Sequence, residues 1–317
     1  MKVPVHLPNI LITGANGQLG SSLALLCNSK DANFFFTDIA ELDVTSKSFV
    51  EKYISKNKID IVINCAAYTN VEKAEDEPEI AEKLNATAPS YLAQSCLKHS
   101  AFLIHISTDF VFGGGAKRKE PITERVKPAP LNVYGASKLQ GEENIKASGC
   151  NYLIIRTSWL FSEFGGNFVK TILSLLSSKS EIKVVDDQKG TPTYAGDLAK
   201  AVYRIAMKVA ENKKNIRRFV GLNQIYNYSN LGECTWYEFA VKIQQLAKVK
   251  FSAMAAARKA SGKRAQKSHV IPCTSVEFPS KAVRPQYSVL SKEKIRKHFS
   301  LTIPAWQTSL KKCLKNL

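Results

Sequence analysis

Residues 9–27 read NILITGANGQLGSSLALLC, and this stretch decides the fold. Asn9–Thr13 has the length and continuous apolar character of a strand buried on both faces. Gly14, Gly17 and Gly20 follow at once in TGANGQLG and open a helix through SSLALLC. Side chains at those glycines would block a tight turn, or the approach of backbone N–H groups and the positive end of the helix to a pyrophosphate. GxxGxxG alone is a weak signal. Its place between a strand and a helix is what speaks for a dinucleotide, with Gly14, Asn16, Gly17, Gln18 and Leu19 as candidate contacts.

The same rhythm continues outward. Short apolar runs at 34–38 (FFFTD), 59–64 (IDIVIN), 102–108 (FLIHIST) and 152–158 (YLIIRTS) alternate with amphipathic stretches, which predicts parallel strands joined by crossover helices. Thr45 can cap SKSFVEKYISK, and Ile80, Leu84, Ala88, Leu92 and Cys96 recur at helical spacing over 79–98. After Ser158 the pattern becomes mixed: a strand at 182–187, a helix capped near Gly196 or Asp197, a polar stretch to Glu233, a helix in TWYEFAVKIQQLA, the basic alanine-rich segment, and a Pro-containing region closing with SKEKIRKHF and AWQTSLKKCL. This predicts an α/β chain with a doubly wound parallel sheet, built mainly from residues 1–160 and binding a dinucleotide. A smaller lobe comes mainly from 161–317, with segments around 182–225 returning to the first.

Composition agrees with a globular chain: 317 residues, 44% hydrophobic and 23% charged. No apolar run approaches the ~20 residues of a membrane span, and the N-terminus lacks a signal-peptide pattern, so a soluble cytoplasmic chain is expected. Seven scattered cysteines without a CxxC pair read as reduced thiols. The net charge of +18 raises the question of a polyanionic partner, and residues 248–267 carry much of the excess with no acidic residue. Few aromatics interleave there to stack bases, so a solvated basic loop is favoured over nucleic acid binding. A diphosphate ligand would also suit a basic protein.

Asp38 ends the second strand, 18 residues beyond Gly20, where a carboxylate can accept hydrogen bonds from an adenosine ribose, although it can equally be a strand-end cap. No Lys or Arg lies in TDIAELD to meet a 2′-phosphate, so NADH is expected to bind at least as well as NADPH. Asp43, Ala66, Ala67 and Tyr68 complete the cofactor candidates. The two small alanines would let a ligand lie against the strand exit, or merely pack there.

Thr108 and Asp109 leave the fourth strand, and 26 residues after Thr108 comes Tyr134, with Lys138 four further on and on the same helical face. A nearby ammonium favours the phenolate, and Thr108 can donate to a substrate oxygen. Any YxxxK recurs by chance. In chain order with the glycine turn, the acidic strand end and STD, it implies hydride transfer to or from a carbon bearing oxygen, with Tyr134 completing the proton balance.

TGANGQLG, NCAAYTNVEKAEDEPE, STDFVF, LNVYGASKLQGE, RTSWLF, DDQKGTPT and RPQYSVL together resemble the dTDP-4-dehydrorhamnose reductase family of extended short-chain dehydrogenases/reductases, from about residue 9 to the end. The resemblance implies a Rossmann-type domain, a C-terminal mixed α/β substrate domain, NADH or NADPH as cofactor, and reduction of the C4 ketone of a dTDP-linked 4-keto-6-deoxy sugar. It implies that Tyr134 protonates the C4 alkoxide, that Lys138 holds the nicotinamide ribose and lowers the phenol pKa, and that Thr108 orients the carbonyl. Thr69, Val71, Asp109 and Trp159 would lie near the sugar, and Asn167 and Arg284 near the diphosphate, the arginine by its fork. Trp159 can instead be a core residue, and Arg284 a member of a structural ion pair.

The chain departs from the family pattern at Phe110 and Gly113, where Tyr and Asp are common, and in the long basic stretch 251–267. Some relatives bind Mg²⁺ at a dimer interface. A homodimer is compatible with this sequence, but no ligand cluster in it supports Mg²⁺. Sugar-nucleotide 4,6-dehydratases are disfavoured because Phe110, not Glu, follows Asp109. A UDP-sugar 4-epimerase, and a non-catalytic subunit like the regulatory subunit of methionine adenosyltransferase, remain the alternatives.

Overall fold

The computed structural model describes residues 7–114, 119–212, 216, 219, 221–258 and 268–317, with 248–258 by backbone only. In chain order, the first half forms β1 (Asn9–Thr13), α1 (Gln18–Ala24), β2 (Asn33–Thr37), α2 (Lys47–Lys56), β3 (Ile61–Asn64), α3 (Val71–Ala74), α4 (Pro78–Glu82), α5 (Ala88–Lys98), β4 (Phe102–Thr108), α6 (Val133–Ala147) and β5 (Asn151–Thr157). The second half forms β6 (Leu160–Phe161), α7 (Phe168–Ser178), β7 (Glu181–Val185), β8 (Lys189–Gly190), β9 (Thr193–Tyr194), α8 (Ala195–Glu211) and β10 (Gln224–Asn227). It ends with β11 (Cys234–Thr235), α9 (Trp236–Arg258), β12 (His269–Cys273), α10 (Glu293–Phe299) and α11 (Trp306–Asn316).

Six strands make one parallel sheet in the order β10-β5-β4-β3-β1-β2. Alternation along the strands divides its side chains between two cores. Ile10, Ile12, Ile61, Ile63, Ile104 and Ile155 join Leu23 of α1 and Leu198, Val202 and Ile205 of α8. Leu11, Val62, Leu103 and Ile154 join Val50 and Ile54 of α2, Leu92 and Cys96 of α5, and Ile145 of α6. Helices cover both faces, which is why the runs are apolar at nearly every position. From β1 the chain steps outward to β2 and then back across to β3. The crevice at the carboxyl ends of β1 and β3 is therefore the switch point where such sheets bind ligands. A third core gathers Phe161, Val169, Ile182, Tyr194, Phe239 and Leu310 around α7, α9, α11 and the parallel pair β7–β12.

Several local expectations change. Ser46, not Thr45, is the N-cap of α2; the Thr45 hydroxyl and N–H both bond Asp43 Oδ1, at 2.7 and 2.9 Å. The helix expected over 79–98 is α4 and α5 joined by a π-helical turn at Lys83–Thr87. Pro89, in the first turn of α5, has no N–H to continue an α-helical ladder back into that turn. α8 begins at Ala195 with Tyr194 as its N-cap, two residues ahead of Gly196, the nearer expected cap. β10 arises within the stretch read as polar. Of the basic stretch 248–267, residues to 258 continue α9 and 259–267 lie outside the described residues. All seven cysteines are free thiols. Among the described residues no helix is long and apolar enough to cross a membrane.

Candidate active site

The glycine turn is tied to its neighbours by contacts that admit no side chain. Gly14 has φ +64°, and a Cβ there would lie 2.7 Å from the Ala66 backbone nitrogen, so the exits of β1 and β3 touch through bare backbone. The α1 N-cap, Gly17, offers no side chain, which leaves first-turn N–H groups to an anion. Asp38 accepts the Asn16 N–H at 3.0 Å and the Ile39 N–H at 2.9 Å, which fixes its carboxylate beside the turn. These residues fit a dinucleotide. Leu19 does so by backbone alone, because its side chain is in the sheet core. Asp43 is turned to Thr45, whose hydrogen bonds hold its pKa below the usual carboxylate range. Ala66 and Ala67 are half-buried at the β3 exit.

Beyond them Tyr68 donates its N–H to Asn85 Oδ1 at 2.9 Å and its hydroxyl to the Glu77 carboxylate. Asn85 sits in the π-helical turn, and its amide also reaches the Tyr68 carbonyl and Ser137 on α6, both at 3.0 Å. The irregular turn thus joins the NCAAYT loop to the helix bearing Tyr134. Thr69 is exposed, while Val71 packs with Tyr68, Phe110 and Tyr134.

α6 starts where the Asn132 side chain accepts the Gly135 N–H at 2.7 Å, which delivers Tyr134 in the first turn and Lys138 one turn later. Both are buried. Thr108 faces Tyr134, and the Tyr134 ring meets Phe110 edge-on at 5.4 Å. Burial pushes the phenol up to about 12; the Thr108 hydroxyl works against this, and Asp109 adds to it. The net shift is therefore opposite to the expected lowering by Lys138. The lysine ammonium is directed to the Ile106 carbonyl at 2.7 Å and to His105 Nε2 at 3.4 Å, and burial brings it down to about 8. Asp109 is raised to about 7 by burial. Its Oδ1 accepts the Thr108 hydroxyl at 3.2 Å, and the Ser288 hydroxyl also faces the carboxyl and works against the rise. A phenol that stays protonated at neutral pH, beside a hydroxyl donor, can serve as an acid toward a substrate oxygen.

The remaining candidates divide. Trp159 takes φ +46°, and its ring stacks on Trp236 at 3.5 Å and 8°, with a Cβ at Gly190 reaching within 2.5 Å of the same ring. Asn167 caps α7 through the Lys170 N–H at 3.3 Å, and its amide donates to Gln18 Oε1 at 3.1 Å. It lies next to α1 and not with Arg284. Arg284 pairs with Glu72 at 2.8 Å and, with Gly113, Leu131, Lys189 and Tyr287, lines a cavity of about 850 Å³. Among the described residues no group of three or more His, Cys, Asp or Glu is placed to hold a metal ion.

Sequence reasoning missed the buried polar frame under the site. Glu142 on α6 accepts Ser107 of β4 at 2.6 Å, and Arg156 of β5 at 2.8 and 2.6 Å. Asn64 ends the β3 run and His105 stands inside the β4 run. Each interrupts an apolar stretch, and that was the available signal.

The family model described as RmlD substrate binding domain matches residues 8–317. The dTDP-4-dehydrorhamnose reductase of Aggregatibacter actinomycetemcomitans is 37% identical over 305 residues, 95% of this chain and 97% of that protein. The Escherichia coli K12 protein of the same name is 37% identical over 98% of each chain. A crystal structure of dTDP-4-dehydrorhamnose reductase from Bacillus anthracis in complex with NADP aligns with TM-score 0.84 and 36% identity, over 98% of this chain and 100% of that one. The UDP-glucose 4-epimerase of Thermotoga maritima, at 16% identity and TM-score 0.75, shares the fold. Matched over nearly its whole length by one family model and by relatives more than a third identical, the chain belongs to the dTDP-4-dehydrorhamnose reductase family.

Proposed function

We propose that this chain reduces the C4 ketone of dTDP-4-dehydro-L-rhamnose to the alcohol of dTDP-L-rhamnose, using NADH or NADPH. The observation that carries this is Tyr134, buried and facing Thr108 at the carboxyl end of β4, in the sheet whose β1 exit bears the glycine turn. The bound dinucleotide supplies the hydride that reduces C4. Gly14, Gly17 and the start of α1 hold its pyrophosphate, and Asp38 its adenosine ribose. Thr108 donates to the ketone oxygen and orients it. Tyr134 gives its phenolic proton to that oxygen as negative charge develops there, and Lys138 stabilises the phenolate left behind. Trp159 walls the sugar, held from behind by Trp236. Thr69, Val71 and Asp109 border it, while Asn167 stays a candidate for the diphosphate from the cofactor side and Arg284 from the cavity side.

We further propose the division into a dinucleotide lobe, mainly 1–160, and a substrate lobe, mainly 161–317. The separate core around α7, α9 and α11 supports this, and α8 and β10 pack back on the main sheet. The free thiols support a cytoplasmic location. A homodimer is proposed as compatible with the fold. The test is loss of NADH or NADPH absorbance across dTDP- and UDP-linked 4-keto-6-deoxy sugars. Turnover of the dTDP sugar is expected; cofactor binding without turnover of any of them would replace the enzyme with a regulatory binding protein.

A further inference from the structure

Asn64 and His105 are almost wholly buried, at 1% and 0% exposure, and counting donors and acceptors fixes what each does. Asn64 Oδ1 receives the Thr13 hydroxyl at 2.7 Å and the Ala66 backbone N–H at 3.2 Å. A backbone N–H can only donate, so the amide atom facing it is the oxygen. The Asn64 NH₂ therefore faces His105 Nδ1, 3.0 Å away, and that nitrogen must accept. Burial, and Lys138 beside it, hold the imidazole pKa well below its ordinary value, so the ring is neutral and its proton is on Nε2. Nε2–H in turn faces Lys138 Nζ at 3.4 Å. An ammonium has no lone pair to receive that proton, so donor meets donor. The ammonium's good hydrogen bond goes to the Ile106 carbonyl at 2.7 Å, and a neutral amine could keep that bond while also accepting from His105.

We infer that Asn64, through the Nε2–H tautomer it imposes on His105, positions Lys138 and sets the pH at which that lysine carries its charge. The inference rests on the reductase reading for its consequence, since an uncharged Lys138 could not stabilise the Tyr134 phenolate. The other groups around the lysine come from every neighbouring element. Glu142 on α6 favours the charged form, while the Cys65 thiol after β3, raised to about 12 by burial, stays neutral beside it. Ser107 on β4 and Arg156 on β5 hold Glu142 in place, and Tyr134 lies one turn back on α6, with Asp109 acting on it from the β4 exit. Against them stand burial, the largest influence, and the histidine N–H. Burial by itself brings the lysine down to about 8 against Glu142, and the histidine N–H at 3.4 Å acts in the same direction. Activity should accordingly be full below that pH and decline above it.

The test uses the full chain with NADPH bound. Nitrogen-15 spectra of labelled histidine, with His105 assigned by its variant, should show protonated Nε2 and unprotonated Nδ1 across about pH 6 to 9. Asn64→Asp offers an acceptor to Nδ1–H, reverses the tautomer and turns the Nε2 lone pair to the ammonium. The alkaline limb of log kcat/KM should then move up by about one pH unit or more, together with the Lys138 titration followed by carbon-13 labelling. His105→Gln, whose amide can turn its carbonyl to the lysine, should move both the same way should Asn64→Asp fail to fold. A merely structural role would lower kcat/KM at every pH and leave the limb in place. A wild-type His105 with its proton on Nδ1, or a Lys138 titration unmoved in both variants, overturns the inference. Those spectra need no sugar, so failure of the wild-type protein to reduce any 4-keto sugar would count against the reductase reading alone.

Discussion

Glu142→Gln separates the structural share of the polar frame from its electrostatic share. The carboxylate is fully buried and accepts the Ser107 hydroxyl and two Arg156 N–H groups, which ties α6 to β4 and β5 directly beneath Tyr134 and Lys138. Glutamine keeps the shape and an oxygen for Ser107, but it leaves a buried guanidinium without a counter-charge. Removing one partner of such a pair costs about 3–5 kcal/mol. The retained amide oxygen puts this substitution near the lower figure, still a large part of the ~5–15 kcal/mol that keeps a domain folded. Urea unfolding should show the loss as a lower midpoint with an unchanged slope. Replacing both partners, Glu142→Met with Arg156→Leu, should recover most of the stability, because two charges then leave the interior together. The kinetic effect should not recover. Glu142 favours the charged form of Lys138, so the single and the double variant should both carry the alkaline limb of kcat/KM to lower pH. A single variant within about 1 kcal/mol of the parent, or a double variant whose limb returns to the parental position, would refute this account of the frame.

Tyr134→Phe keeps the ring that packs on Phe110 and removes the transferable proton, so NADPH affinity should hold in calorimetry while kcat falls by about 10²–10⁴. Asp109, raised to about 7 by burial, holds a proton in the folded state that the unfolded chain has lost. Its effect on stability is therefore most favourable below about pH 4 and is lost as pH rises through 7, on the order of 4 kcal/mol in all. Asp109→Asn should flatten that slope in urea titrations at pH 5 and pH 8, and an unchanged slope would place the proton elsewhere. Gly190→Ala would drive a methyl to within 2.5 Å of the Trp159 ring. Displacing that ring from Trp236 should cost about 1–3 kcal/mol, change the near-ultraviolet circular dichroism and raise KM for the sugar. With Asp38 fixed beside the Asn16 N–H, NADH should bind at least as tightly as NADPH; a large NADPH preference in dissociation constants would defeat that reading.

Four of the strands readable in the sequence owe it to burial on both faces. β1, β3, β4 and β5 each fill both sheet cores, so nearly every residue in their runs is apolar. β10 was hidden because Gln224–Asn227 reads QIYN within a polar stretch. It becomes a strand only by pairing with β5, and its Tyr226 is buried against His298 and Phe299 of α10. Two-residue strands such as β8 and β11 carry no periodicity at all; their pairing is set by long-range contacts. The π-helical turn was likewise invisible, because 79–98 keeps its apolar spacing through it and only Pro89 marks the break.

In the site, what could be read was whatever depends on spacing along one element. Tyr134 and Lys138 share a helix face whatever surrounds that face, and the glycine turn is local as well. The state of each group is not local. Whether the phenol is raised or lowered depends on burial, Thr108 and Asp109, and whether the lysine keeps its proton depends on β3, β4 and α6 together. Asn64 and His105 mark the boundary between the two kinds of information. A polar residue inside a strand with both faces buried must find a partner or cost about 1–3 kcal/mol, so the sequence requires that partners exist. It cannot say that one amide will take Thr13 and Ala66 on its oxygen and leave its nitrogen for the histidine, because those four residues come from separate strands and their exits. The chemistry of Lys138 is set at that junction, by residues of β3 and β4 that lie outside the motif announcing it.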